Sequence, residues 1–170
     1  MAILKVARMG HPVLRQVAQP IPPGEIGSAP IRRLISNMLE TVCEYSGIGL
    51  AAPQVHASVR LVLLALDPED GFEVWINPVL TPEDDTLLTT EEGCLSIPGL
   101  RGDVTRPATI NVTGLDQNGE AFSRRLTGFP AVVAQHECDH LDGVLYIDKA
   151  DPKSLSFLEE ARRYGAGEEE

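Results

Sequence analysis

The stretch "QHECDH", Gln135 to His140, places two of the chain's four histidines four positions apart, with a glutamate directly after the first. On an α-helix, side chains at i and i+4 lie one above the other, so a helical reading commits one rigid element to presenting two imidazoles together. Phe129, Val132 and Val133 lie one and two turns back on the same face, and an apolar stripe there predicts a face turned inward. Paired histidines taken out of water need a partner, and a divalent metal ion suits them. Glu137 is offset by about 100 degrees on a helix of about 3.6 residues per turn. It therefore flanks an ion without ligating it and can accept a proton from bound water. The alternative is a solvated surface helix carrying two free histidines.

The rest of the chain supplies a frame for that helix. Its start falls near Gly128 to Pro130 and its end before Gly143, where proline in the first turn and glycine past the last are the usual boundaries. Ile31, Leu34, Ile35, Met38, Leu39 and Val42 recur at helical spacing after Ser28 and Pro30, which predicts a long amphipathic helix stopping at Ser46-Gly47. Cys43, one turn after Leu39, is expected in the core. Short β-rich runs follow at Arg60 to Leu66, Phe72 to Ile76, Thr109 to Leu115 and Glu120 to Thr127, the last two as a hairpin. A third helix is expected from Asp151-Pro152 toward Tyr164. Strands grouped between helices, without regular βαβ alternation, give an α+β class with mixed or antiparallel strands packed around the helix bearing the histidines. One catalytic domain is expected over 1–164, with 165–170 a disordered acidic tail.

Charge and composition remove several classes of function. A formal net charge of -11 over 170 residues argues against stable nucleic-acid binding, which rests on neutralising phosphates with Lys and Arg. With 43% hydrophobic and 23% charged residues the chain has the composition of a globular domain, neither disordered nor fibrous. Met1 to Arg15 carries Lys5, Arg8 and Arg15 among its apolar residues, so neither a signal peptide nor a membrane anchor is read there. The cytosol is the default setting, and three cysteines, an odd and sparse set, suit a reducing compartment.

A catalytic zinc-type site normally uses three protein ligands and one open position. Cys138 is two residues from His136 and points to nearly the opposite side of the helix. His11, His56 and Cys94 remain, and Cys94 is the better candidate, because Gly93 would let the backbone bend and present a thiolate from a strand edge.

Three separated segments, "GIGLAAPQ" at Gly47 to Gln54, "EGCLS" at Glu92 to Ser96 and "QHECDHLDG" at Gln135 to Gly143, together resemble the peptide deformylases. Their order agrees, and the similarity runs from about Lys5 to Ile147. The resemblance implies removal of the N-formyl group from the initiator methionine of nascent polypeptides. It implies that Cys94, His136 and His140 ligate the metal, with water or hydroxide in the fourth place. It also implies that Glu137 moves the proton while the Gln54 side-chain amide and the Leu95 N–H stabilise the oxyanion, a contribution of roughly 3 to 4 kcal/mol per donor. Ile48, Gly49 and Gly93 would grip the substrate backbone, Ile48, Phe129, Val132 and Val133 would line an apolar pocket for the methionine side chain, and Arg101 would touch the substrate backbone. Ferrous iron is the ion implied, with zinc, nickel or cobalt able to substitute, since a thiolate with two imidazoles suits all four. The implied partners are formylmethionyl peptides and, transiently, the ribosome, in a bacterial cytoplasm or as a processed organellar form.

Two other readings use the same residues. A zincin-like peptidase would need room on both sides of a peptide bond, and a non-catalytic metal-stabilised module would close the site with a fourth protein ligand. A dinucleotide-binding turn is also spelled by Gly47, Gly49 and Ala52. It is rejected because a helix precedes it and Pro53 stands where the following helix would begin.

Overall fold

The apolar run Leu61–Leu64, reading LVLL, decides the layering. All four residues are buried, and successive side chains of a strand point to opposite faces, so both faces of this strand must be covered. Leu61 and Leu63 pack with Ile31, Ile35, Met38 and Val42. Val62 and Leu64 pack with Ala131, Val133, Ala134, Cys138 and Leu141. A sheet between two helices results, each buried leucine contributing roughly 1.5–3 kcal/mol.

In the computed structural model, which describes residues 2–67 and 69–164, α1 spans Ala29–Glu44 and β1 Gly49–Ala51, followed by β2 (Leu61–Leu64) and β3 (Glu73–Pro82). Next come β4 (Leu87–Cys94), β5 (Ile97–Pro107), β6 (Thr109–Leu115), β7 (Ala121–Thr127), α2 (Phe129–Leu141), β8 (Ser156–Phe157) and α3 (Leu158–Tyr164). The strands form a five-stranded sheet, ordered β1-β2-β3-β6-β7, and a three-stranded sheet, ordered β4-β5-β8. Every strand pair is antiparallel. Helix α2 touches β1, β2 and β7 of one sheet and β5 of the other, and it buries residues around most of its circumference. It is the central element, and the class is α+β. The tail expected over 165–170 lies outside the described residues.

Several sequence expectations shift. The β4–β5 hairpin has no counterpart among the expected strands apart from a strand edge at Cys94. Its outer half alternates exposed and half-buried residues, so it lacks the apolar run that marks β2. The third helix begins at Leu158, not after Pro152. Asp151 instead closes a turn, its Oδ1 accepting from Lys153 N–H at 3.0 Å and its carbonyl from Ser154 N–H at 3.0 Å. Ser156 and Phe157 then pair with Arg101 and Leu100 before the helix starts. The Gly47-to-Ala52 turn leads into β1 and a four-residue 3-10 turn, Ala52–Val55, too short to hold a dinucleotide phosphate.

Cys43 is exposed rather than in the core. The buried stripe of α1 is Ile31, Ile35, Met38 and Val42. Cys43 lies about 100 degrees round the helix from Val42, toward solvent. Cys138, by contrast, is buried between α2 and the sheet. In the native protein Cys43 should be the fastest thiol to react with a disulfide reagent, and Cys43→Ser should remove that phase, while Cys138 should react only on unfolding. Rapid native labelling of Cys138 would count against this packing.

Candidate active site

Helix α2 delivers the two histidines as its spacing requires. The His136 and His140 rings lie with centroids 5.3 Å apart at 74°; His140 is buried and His136 half-buried. Cys94 ends β4, and the β4–β5 register shifts between Glu92 and Cys94, a bulge of the kind that re-aims a side chain beside an active site. The Cys94 Sγ lies 3.3 Å from His140 Nε2. Among the described residues, Cys94, His136 and His140 form a group whose donor atoms all lie within 4.8 Å of one another. One sulfur and two imidazole nitrogens at such separations fit a single divalent transition ion. Cys138 is not part of the group, and His11 and His56 are exposed and pack edge to face on each other.

A buried charge network holds this group in place. Glu92 lies 2.8 Å from His136 Nδ1, which fixes the proton on that nitrogen and turns Nε2 toward Cys94. Arg106 donates to both Glu92 oxygens, at 2.6 and 2.9 Å, and from its third nitrogen to Asp139 at 2.7 Å. Lys149 donates to the other Asp139 oxygen at 2.7 Å. Tyr146 stacks on His136 with centroids 6.0 Å apart and donates its hydroxyl to the Leu100 carbonyl at 2.9 Å. None of Arg106, Asp139 or Tyr146 was singled out from sequence, and Glu92 was noted only within its motif. A buried arginine twelve positions after Cys94 leaves no local signature.

Gln54 is buried, and its orientation is settled by Ala51, whose N–H donates to Oε1 at 2.8 Å. The Nε2 amino group is thereby directed into the site, 3.4 Å from Cys94 Sγ and 3.3 Å from Ser96 Oγ. Leu95 and Ser96 make the two-residue turn between Cys94 and Ile97, so the Leu95 N–H stands outside the ladder. Two glycines permit the close packing. A Cβ on Gly49 would collide with the Glu137 carboxylate, and one on Gly93 with the Arg101 guanidinium.

A cleft of about 490 Å³ opens on this group, lined among others by Ile48, Gly49, Gln54, Gly93, Cys94, Leu95, Arg101, Phe129, Val132, Val133, His136 and Glu137. His140 lies beneath its floor, 1% exposed. Val132 and Val133 are buried, whereas Phe129, expected on a buried face, is 59% exposed at the mouth. It occupies the first position of α2, where the helix emerges from the sheet.

Electrostatically the pocket favours a cation. Burial pushes the Glu137 carboxyl up to about 7 and holds His140 well below the ordinary histidine value. Burial would also lower His136, yet Cys94 and Glu92 beside it hold it up at about 10. Glu137 Oε2 and His140 Nδ1 are buried without a partner among the described residues.

Fold and site together define a single-metal hydrolase built on an HExxH helix. The family model of polypeptide deformylases matches residues 3–156, and the chain belongs to that family. Among solved structures, an actinonin-bound class I type b peptide deformylase from Acinetobacter baumannii is 35% identical, aligned over 89% of this chain and 100% of that one with a TM-score of 0.83. A Met-Ala-Ser bound form from the same organism is 35% identical over 86% and 98%, TM-score 0.81. The peptide deformylase of Thermotoga maritima is 37% identical over 88% and 99%, TM-score 0.82. The protein is thus a metallohydrolase that removes the N-formyl group from formylmethionyl peptides of nascent chains, using one divalent ion.

Replacing Arg106 with Met should destabilise the fold by about 3–5 kcal/mol in denaturant unfolding, because the buried Glu92 then loses its two guanidinium bonds and keeps only His136. A loss within 1 kcal/mol would show that water compensates the pair. Cys94→Ser should abolish tight metal binding by elemental analysis, while Cys138→Ser should leave metal content unchanged.

Proposed function

We propose that Cys94, His136 and His140 hold ferrous iron, that Glu137 is the proton-transfer group, and that Gln54 and Leu95 supply the oxyanion donors. The observation that carries this reading is the convergence, in one cleft, of three metal-type donors with a buried carboxylate and an oriented amide. A divalent ion bound there supplies an activated water at neutral pH and polarises the formyl carbonyl. Glu137 accepts the proton of the attacking water and passes it to the leaving methionine nitrogen. As the carbonyl oxygen gains charge, Gln54 Nε2–H and the Leu95 N–H are placed to donate to it. Glu92 keeps the His136 ring from turning.

Substrate binding follows from the sheet edges. β1 and β4 are edge strands of their sheets and both line the cleft. An extended peptide can add to such edges through Ile48, Gly49 and Gly93, reading backbone and not side chains. Val132 and Val133, with Ile48 and Phe129 at the rim, receive the methionine side chain, while Arg101 reaches the substrate backbone. The Met-Ala-Ser bound relative supports a peptide lying in this cleft. We further propose a bacterial cytoplasmic setting, where the chain meets formylated termini during a transient encounter with the ribosome. Among the described residues no helix is long and apolar enough to cross a membrane.

The decisive measurement is formate release from a formyl-methionyl tripeptide by anaerobically prepared, iron-loaded protein. Glu137→Gln should keep its metal and fold while losing activity by at least about a hundredfold, the usual scale of a general-base contribution. Turnover retained in that variant would remove Glu137 from its role.

A further inference from the structure

The proposed reading gives Arg101 only a contact to the substrate backbone and leaves the other guanidinium of the cleft, Arg8, without a role. Arg15, Arg60, Arg106, Arg124, Arg125 and Arg163 each face a carboxylate. Arg8 and Arg101 line the cleft, and among the described residues neither has a carboxylate at ion-pair distance. Arg32, Arg33 and Arg162 also lack an ion pair among the described residues, but they lie outside the cleft, whereas Arg8 and Arg101 stand open beside the catalytic group. The cleft's own carboxylates do not neutralise them: Glu92 is engaged by Arg106 and His136, Glu137 lies against Gly49, and Glu91 forms no ion pair.

Arg8 is held in this position from both sides. The Ala7 N–H donates to the Gln54 carbonyl at 2.7 Å and the Met9 N–H to the Ser96 carbonyl at 2.9 Å. Ala7 is buried with Leu14, Ile97 and Tyr146, while Arg8 between these anchors is exposed. Its backbone is thus fixed between the segment carrying Gln54 and the turn carrying Leu95. Arg101 leans over Gly93 on the opposite strand.

We infer that Arg8, assisted by the field of Arg101, is a specificity-determining residue that recognises a carboxylate on the substrate beyond its formylmethionine. The carboxylate is an acidic side chain at the second or third residue, or the free C-terminus of a short peptide. This rests on the deformylase site proposed above. A guanidinium offers a carboxylate two parallel donors. The contact is solvent-exposed, so it is worth about two- to fivefold in kcat/KM. It is remote from the reacting bond and equal in ground and transition states, so the effect falls on KM.

The test is formate release by iron-loaded protein from formyl-Met-Ala-Xaa and formyl-Met-Xaa-Ala, with Xaa as Asp or Asn, each as free acid and as amide. The Asp-to-Asn ratio among amides reports a side-chain carboxylate, and the acid-to-amide ratio among Asn peptides reports the terminus. At least one ratio should exceed about twofold at low salt and shrink at high salt. Arg8→Gln should bring it near one, Arg8→Lys should retain part of it, and Arg33→Gln, which removes an exposed charge outside the cleft, should leave it intact. Ratios near one in the wild type, or ratios that survive Arg8→Gln, would overturn the inference alone. Absence of formate release from every peptide would overturn the site reading with it.

Discussion

Arg106 is the interaction on which the site depends. Its side chain is 2% exposed and reaches from β5 to Glu92 on β4 and to Asp139 on α2, joining the second sheet to the central helix at a point buried from water. Removing such charges from solvent costs several kcal/mol per ion, and a well-packed apolar substitute is often no less stable. The network is therefore a device for position. Glu92 can fix the His136 tautomer only if its own charge is balanced, and Arg106 balances it while pinning α2 one residue before His140. The apolar clusters on both faces of β2 supply the stability that lets this arrangement persist.

Close approach is the second constraint. The Glu137 carboxylate occupies the space a side chain on β1 would fill, and the Arg101 guanidinium occupies the space of one on β4. Both strands consequently present bare backbone to the cleft. The edges left open by the two sheets face a common space, and the missing Cβ atoms let the Glu137 and Arg101 side chains reach into it.

The parts legible in the sequence are those whose signal is local. The histidine spacing, Pro130 and Gly143 delimit α2 within a residue or two, and the β6–β7 hairpin follows from alternation about a turn. The clustering of Cys94, His136 and His140 was legible because the two histidines share a helix and Cys94 follows a glycine; Gln54 came from the family resemblance. What escaped was set by tertiary contact. Cys43 sits one position off a stripe whose limits depend on what α1 packs against. Phe129 is exposed at the first position of α2, ahead of the turn that packs inward. The Glu92–Arg106–Asp139 network joins residues 14 and 33 positions apart, and no periodicity records it. The β4–β5 hairpin lacks an apolar run because much of it faces solvent or the cleft.

The charge state of the pocket ties these observations together. Burial makes Glu137 a reluctant carboxylate, near 7, and the thiol and carboxylate around His136 draw a proton onto it up to about 10. The first shift is a cost of burial and the second a response to the anionic groups around His136, and both are eased by positive charge placed between Cys94 and Glu137. A cation held by Cys94, His136 and His140 would supply positive charge there: His136 would act as a neutral imidazole, its Nδ1–H donated to Glu92, and the nearby charge would favour ionised Glu137. The low dielectric that penalises Glu137 as an isolated anion also raises its proton affinity toward ambient pH, the condition under which a base can both accept a proton from water and give it up to the leaving amine. Without Arg106 the anionic charge of Glu92 would rest on His136 alone, and Glu137, which Arg106 lowers and Glu92 raises, would be pushed further toward its neutral form.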